Sequence, residues 1–455
     1  MLRRKITDYF LKWKNTSDKK CLLVKGARQV GKTFIIEDFA KKNYGNYIYI
    51  NFELTPEMKS AFDGDLDADS LVRNLSIRFP RIKFTPGDLL IFLDEIQSCP
   101  NARVALKSFS LDGRFDVIAS GSLLGIKYKD VTSYPVGYET AIELRSLDFE
   151  EFLWALGISD DIISYVSDIV RKKMHMDNSV MEKMNEYYKW YSVVGGMPKV
   201  VSKFIETNSF GEVLSEQRDI IAGYMNDIAK YAPESKKTKI WSTFRSIPAQ
   251  LARENKKFRY NGVEGSRPGD GSRTYNGSLS WLFDAGIVNY CHNLQEPAAP
   301  LVSNIIEDAF KVYMNDTGLL ISVMEPGVGV SLLSGDIMIN KGGIAENMLA
   351  EVLAKKGITL TYFEKSGKLE TDFILNIDGT VTVLEVKSGN NKRSKSMGIV
   401  MSEKYKLKRG IKLENTNVYV DEKGVEHYPL FAASFLFDPC DVKIDGYLSN
   451  DHRYQ

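Results

Sequence analysis

Gly26-Ala-Arg-Gln-Val-Gly-Lys-Thr33 is the stretch from which the rest of the chain is best read. It has the pattern G-x-x-x-x-G-K-[ST], follows the apolar run Cys21-Leu-Leu-Val24 and precedes a helix-like stretch. Each position has a chemical reason. Gly26 and Gly31 let the backbone curl, so that the N–H groups around Ala27, Arg28, Gln29 and Val30 face phosphate oxygens at a helix N-terminus. Lys32 is placed to reach β- and γ-phosphates, and the Thr33 hydroxyl to ligate magnesium. An ordinary glycine turn is the alternative, and it leaves the strand before and the helix after without a purpose. The expected ligand is ATP, or GTP, with Mg2+.

Working outward, Tyr47-Ile-Tyr-Ile50, Leu89-Leu-Ile-Phe-Leu93 and Phe115-Asp-Val-Ile-Ala119 are further short apolar runs separated by helix-like spacing. That alternation predicts an α/β fold with a parallel sheet wrapped by helices. The second run ends in Asp94-Glu95. A buried strand would deliver Asp94 to the magnesium shell, while Glu95 would polarise the attacking water as a general base. Alone, such an acidic pair also reads as a loop start. The third run ends in Ala119-Ser-Gly-Ser122, where Ser120 or Ser122 can meet the γ-phosphate or the water; Ser122 is the preferred candidate, beside a plain strand-to-turn reading.

With 455 residues the chain is too long for one core, and two to four domains are expected. Hydrophobic content of 44% and charged content of 26% fit a folded soluble protein and exclude wholesale disorder. The 60 basic and 59 acidic side chains leave no global charge to attract nucleic acid, so any basic surface must be local. Cys21, Cys99, Cys291 and Cys440 are scattered, which argues against a disulfide framework or zinc knuckle and fits a reducing compartment. His175, His292, His427 and His452 are equally isolated. The N-terminus is basic without a following apolar core, and no apolar run approaches bilayer length. A cytoplasmic protein without a membrane partner is expected.

From Asp148 to Asn226 the pattern is helical, with one break at Val194-Gly-Gly-Met-Pro198. Ile240 to Leu294 can form a winged helix: Ser278–Gly286 reads as a helix closed by glycine, and Ile287–Cys291 as a wing strand. Lys256, Lys257, Arg259, Arg267 and Arg273 gather there, interleaved with Phe258, Tyr260 and Tyr275. This suits DNA phosphates, or equally a solvated face that makes only protein contacts. Glu325 to Asp336 reads as a loop.

Beyond it comes a compact α/β pattern: helix Gly343–Lys356, then strands Thr361–Glu364, Glu370–Asn376 and Val381–Lys387. Asp372 falls in a strand and Leu384-Glu-Val-Lys387 follows one hairpin later, the spacing of a PD-(D/E)-x-K nuclease site. Strand positions two apart share a face, so Glu385 and Lys387 project together. Asp372 and Glu385 would bind magnesium, Lys387 would activate water, and Glu346 would add a carboxylate from the helix. Taken singly, Glu-x-Lys on a strand is usually an exposed ion pair. Lys392, Arg393, Lys395, Lys404, Lys406, Lys408 and Arg409 follow, as a phosphate-tracking row or a solvated face.

Together, the glycine-rich loop, Leu93-Asp-Glu-Ile-Gln97 and Ala119-Ser-Gly-Ser-Leu-Leu124 resemble a prokaryotic group of AAA-type ATPases. Leu147-Asp-Phe-Glu-Glu-Phe-Leu153 and Gly195-Gly-Met-Pro198 are similar to two further segments of that group. The resemblance implies a P-loop ATPase core at 1–147, a helical extension at 148–235, a winged helix at 236–325 and a restriction-nuclease-like domain of unknown function at 335–455. Glu346 resembles the helix glutamate of Holliday-junction-resolvase-like nucleases. Where many members have Gly-Arg, this chain has Gly137-Tyr138, so no arginine finger is carried over. Two functions follow as expectations: ATP hydrolysis coupled to metal-dependent DNA cleavage, or an ATP-driven switch that binds DNA or protein without cutting. DNA and further copies of the chain are the candidate partners besides ATP.

Overall fold

The aliphatic runs of the first 145 residues become strands because helices on both sheet faces cover them. The computed structural model describes residues 2–122, 137–266, 271–334, 341–367, 369–387 and 395–437. Arg267, Lys392, Arg393, Cys440 and His452 lie outside the described residues. Among the described residues two compact units form, one over Arg3–Arg145 and one from Ser146 onward.

The first unit runs α1 (Ile6–Lys14), β1 (Cys21–Gly26), α2 (Lys32–Asn43), β2 (Asn46–Asn51), α3 (Ala68–Arg78), β3 (Leu89–Asp94), α4 (Pro100–Asp112), β4 (Asp116–Ser122) and β5 (Glu139–Glu143). Its sheet has the order β2-β3-β4-β1-β5, and every pair is parallel. The carboxyl ends of β1, β3 and β4 therefore open on one edge, where ligands bind in open α/β sheets. β3 and β4 are buried along their whole lengths. Phe52, Phe62, Leu71, Leu75, Leu106 and Phe109 pack on one face of the sheet. α4 begins on Pro100 and stops at Gly113 in the left-handed region, the punctuation expected of a helix.

The second unit opens with five helices, α5 (Phe149–Ala155), α6 (Asp160–Arg171), α7 (Asn178–Val194), α8 (Pro198–Thr207) and α9 (Phe210–Tyr231). One break was expected here and four occur. Three of the five helix starts are capped: Asp148, Asp177 and Ser209 each accept a backbone N–H there. An apolar pattern that resumes after each stop conceals them. Gly196 has no space for a side chain, since a Cβ would lie 2.0 Å from the Leu147 carbonyl oxygen. The Leu147 N–H donates to the Gly196 carbonyl at 2.7 Å, so the two later segments of the family resemblance meet at this point.

α10 (Lys237–Leu251) and α11 (Ser272–Asp284) lead into the antiparallel hairpin β6 (Val288–Leu294) and β7 (Ile305–Met314). α12 (Thr317–Ser322) and α13 (Val328–Ser334) come next. α13 lies in the stretch read as a loop; Val328, Leu332 and Leu333 pack against Val193, Ile321 and Ile344, and this packing supplies the helix. Then come α14 (Lys341–Lys355), β8 (Thr361–Tyr362), β9 (Glu364–Lys365), β10 (Leu369–Glu370), β11 (Phe373–Ile377), β12 (Thr380–Lys387), α15 (Lys395–Met401) and β13 (Arg409–Glu414). β14 (Tyr419–Val420), β15 (Glu426–Tyr428) and α16 (Ala433–Leu436) complete the described chain. The sheet order is β11-β12-β13-β15-β14, with β11 and β12 an antiparallel hairpin and β13 parallel to β12. Among the described residues no helix is long and apolar enough to cross a membrane.

Candidate functional site

β1 ends on Gly26, in register with Ser122 on β4. A Cβ on Gly26 would sit 2.3 Å from the Leu144 carbonyl oxygen, so only glycine fits. The loop then turns through Gln29 (φ 65°) and Gly31 (φ 89°), both left-handed, before α2 begins at Lys32. Ala27 and Val30 are buried, Arg28 is half-buried and Gln29 is exposed. Lys32 is itself buried, and its Nζ donates to the carbonyls of Gly26 and Ala27, each at 2.9 Å. The Lys32 ammonium is thus held across the loop's own mouth.

Among the described residues, five donors converge on the carboxylate of Asp94, which is 1% exposed. Oδ2 accepts from the Thr33 hydroxyl at 2.9 Å, the Tyr49 phenol at 3.1 Å and the Asn51 amide at 3.1 Å. Oδ1 accepts from the Glu95 N–H at 3.0 Å and from the Ser120 hydroxyl. Burial pushes the Tyr49 phenol up to about 12, with Asp94 adding to the effect and Asn51 opposing it, so the phenol stays a donor. Ser120 reaches Asp94, whereas the preferred candidate Ser122 sits buried at the end of β4 beside Gly26. Tyr49 and Asn51 were missed by the sequence reading. Their signal was the alternation of β2, which puts both on one face, with Asn51 in register with Asp94.

Glu95 follows with φ 52°, a left-handed turn that swings its side chain off the strand. Gln97 donates its amide to Glu95 Oε2 at 2.5 Å. The carboxylate is therefore held beside the strand end while its other oxygen is not engaged by Gln97.

In the second unit Glu346, Asp372, Glu385 and Lys387 come together. Glu346 on α14 accepts from Tyr313 Oη at 3.1 Å and pairs with Lys256 Nζ at 2.9 Å. Lys387 lies 2.8 Å from Glu385 and 4.0 Å from Asp372. Asp372 stands just before β11, not within a strand as expected. Its Oδ2 accepts the Val386 N–H at 2.8 Å, so its side chain substitutes for a backbone partner of β12. Burial, then the charges of Glu346 and Glu385, push the Asp372 carboxyl up to about 7. Burial also opposes ionisation of Glu346, but Lys311 and Lys256 outweigh it and hold that carboxyl below its usual range. Lys311, fully buried on β7, lies 2.8 Å from Glu370 and 4.5 Å from the centre of the Tyr362 ring. Glu385 Oε1 is buried with no hydrogen-bond partner among the described residues. Among the described residues no three His, Cys, Asp or Glu side chains are arranged to hold a metal ion.

Loop, lysine and carboxylate thus share one sheet edge in the first unit, and comparison with known families agrees with that geometry. Residues 18–153 match the AAA domain. Two domains of unknown function match further on, DUF8612 over residues 185–328 and DUF4143 over 341–431. No curated protein matches the chain. Among solved structures, the Aeropyrum pernix ORC1 protein in complex with DNA aligns at 12% identity over 73% of this chain and 91% of its own, with a TM-score of 0.28. AMPPCP-bound DnaA from Aquifex aeolicus aligns at 14% identity, covering 62% and 86%, with a TM-score of 0.27. Drosophila ORC bound to DNA gives 15% identity, 67% and 90%, with a TM-score of 0.28. Scores of that size decide nothing.

Outside the AAA match, the basic stretch of the middle section is rearranged relative to expectation. Phe258 and Tyr275 are buried, and Phe258 stacks on Phe310 at 6.1 Å. Both are turned inward and offer no surface for a base. Lys256 is turned inward onto Glu346. Arg259 is exposed, its N–H donating to Gln250 Oε1 at 2.7 Å. Of the later basic residues, Lys404, Lys406 and Lys408 are exposed, while Arg409 is forked onto Glu426.

Proposed function

We propose that this chain binds ATP with magnesium in its AAA-type first unit, hydrolyses it, and uses the turnover to switch a second unit that binds DNA or protein without cutting. The observation that carries the reading is the junction of Thr33 and Asp94 at the mouth of the glycine-rich loop. Two oxygens 2.9 Å apart fit adjacent corners of an octahedral magnesium shell, where bonds of about 2.1 Å set ligands about 3 Å apart. Magnesium bound there would offset phosphate charge. Lys32 would exchange its two loop carbonyls for β- and γ-phosphate oxygens, and loop N–H groups would cradle the rest. Glu95, steadied by Gln97, is the group that would take a proton from water.

The non-cleaving half rests on Lys311 and Lys256. Their ammonium groups stand among the carboxylates of Glu346, Glu370 and Asp372, so the charge that a metal would balance is already met from within. The helix, hairpin and crossover order of α14, β11, β12, α15 and β13 supports a restriction-nuclease-like fold, and α10, α11 and the β6–β7 hairpin support a winged helix. A second reading, metal-dependent cleavage at Asp372, Glu385 and Lys387, is favoured by the unpartnered Glu385 oxygen. The test is to measure phosphate release from ATP, and separately to incubate the chain with supercoiled, linear and branched DNA and Mg2+ or Mn2+. ATP turnover with intact DNA supports the switch. Cleavage that vanishes in Asp372→Asn replaces it with the second reading, and absence of ATP turnover removes the switch.

A further inference from the structure

Arg4 precedes the first helix and lies outside the residues that match the AAA domain. It is nonetheless 7% exposed, deeply buried for a residue so near the start of the sequence. Nη1 donates to the carbonyl of Val30, in the glycine-rich loop, at 3.3 Å. Nη2 donates to the carbonyl of Arg145 at 2.6 Å. One guanidinium therefore spans two segments that the sequence places far apart, and a planar fork with fixed donors is suited to doing so.

We infer that Arg4 is a positioning residue for the phosphate loop, resting on the reading of that loop as a nucleotide site. A trans peptide points its C=O and its N–H in opposite directions. Fixing the Val30 carbonyl toward Arg4 turns the Gly31 N–H the other way, and Gly31 is the residue whose left-handed backbone leads into α2. Loop N–H groups are what phosphate oxygens meet, so the orientation of this peptide bears directly on affinity. The second anchor reinforces the first. Arg145 follows Leu144, whose carbonyl would strike a Cβ on Gly26, so the segment Arg4 grips is the wall against which the loop begins. Arg4 thereby clips the end of the loop to the wall at its start, at the residue where the first unit ends.

Such a role predicts lower affinity for every nucleotide that uses the loop, with the chemical step little changed. Titration calorimetry with ADP and with a non-hydrolysable ATP analogue, both with magnesium, tests it on the full chain. Arg4→Gln is expected to weaken both nucleotides in parallel by roughly ten- to hundredfold, the range for lost charged hydrogen bonds. KM for ATP should rise while kcat stays within about threefold. Arg4→Lys keeps the charge but cannot span both carbonyls, and should fall between. Wild-type affinity in a folded Arg4→Gln protein overturns the inference; if that variant does not fold, wild-type affinity in Arg4→Lys overturns it. Failure of the wild-type chain itself to bind either nucleotide overturns the nucleotide reading, and this inference with it.

Discussion

The Thr33 hydroxyl and Asp94 Oδ2 lie 2.9 Å apart, although the strands that lead to them, β1 and β3, are separated in the sheet by β4. Ser120 on the intervening strand closes the gap by donating to the other oxygen of the same carboxylate. An amide at position 94 would place an NH2 where only donors converge. Asp94→Asn is therefore expected to lower ATP turnover by roughly a hundredfold or more and to abolish its response to added Mg2+. Phosphate release measured across a magnesium series checks this. Turnover that still saturates with magnesium as in the wild type removes Asp94 from the metal's surroundings.

Glu95→Gln separates binding from chemistry. The amide can still accept from Gln97, and the donors on Asp94 are untouched, so the loop should bind nucleotide as before. What it loses is a base, a change worth roughly 10²–10⁴ in rate. The expectation is a kcat lowered by about that factor, with nucleotide affinity within a few-fold of wild type. Unchanged kcat would transfer the role of base to another group. Weakened binding would mean that Glu95 supports the loop instead.

Why the loop was legible and its surroundings were not follows from how each is specified. Gly26 to Thr33 is local: strand, turn and helix are contiguous, and each residue's task is fixed by its neighbours in sequence. Tyr49 and Asn51 reach Asp94 only because β2 flanks β3, and Ser120, named as a site candidate, finds that carboxylate only because β4 lies on the other side, an order that no residue on those strands announces. The same holds in the second unit. Glu346, Asp372, Glu385 and Lys387 could be grouped from their spacing and order, but Lys256, Lys311 and Tyr313 arrive from the hairpin region and carry no motif. Phe258 and Tyr275 were read beside basic residues as surface, since an aromatic next to lysine looks alike whether it faces solvent or core. Only burial decides: both side chains are turned inward, Phe258 against Phe310 of β7.

Lys311 is the residue on which the carboxylate cluster of the second unit depends. Its side chain is 1% exposed and lies 2.8 Å from Glu370, with Glu346 and Asp372 close enough to raise its affinity for a proton. Lys311→Met keeps much of the volume but leaves buried carboxylates unbalanced. Removing one partner of a buried pair typically costs about 3–5 kcal/mol. Chemical unfolding followed by tyrosine and tryptophan fluorescence should show a loss of that order in the transition of the second unit. Adding Glu370→Gln should restore part of it, because one of the stranded charges is then removed. A single variant as stable as wild type would mean that Lys311 is replaceable, and that the cluster is open to an outside cation.

Asp316 makes a prediction about pH. It is buried after β7, and its two oxygens accept the N–H groups of Gly196 at 2.8 Å and Leu319 at 3.1 Å. Burial, with the nearby charge of Glu351 next, pushes its carboxyl up to about 6, while Lys355 and the two N–H donors pull the other way. An acid whose folded pKa lies above its unfolded one binds its proton more tightly when folded. It therefore stabilises the fold at low pH, and that contribution is lost as pH rises from the unfolded value of about 4 through the folded value of about 6. Asp316→Asn should be less stable than wild type at pH about 4, because its NH2 must face one of the two N–H donors. The gap should then narrow between pH about 4 and about 7, since only the wild type gives up stability over that range. Denaturant midpoints for both proteins, taken at several pH values, read the gap directly. A gap that stays constant or widens would mean that Asp316 is ionised across the whole range and that its two N–H partners, with Lys355, outweigh its burial.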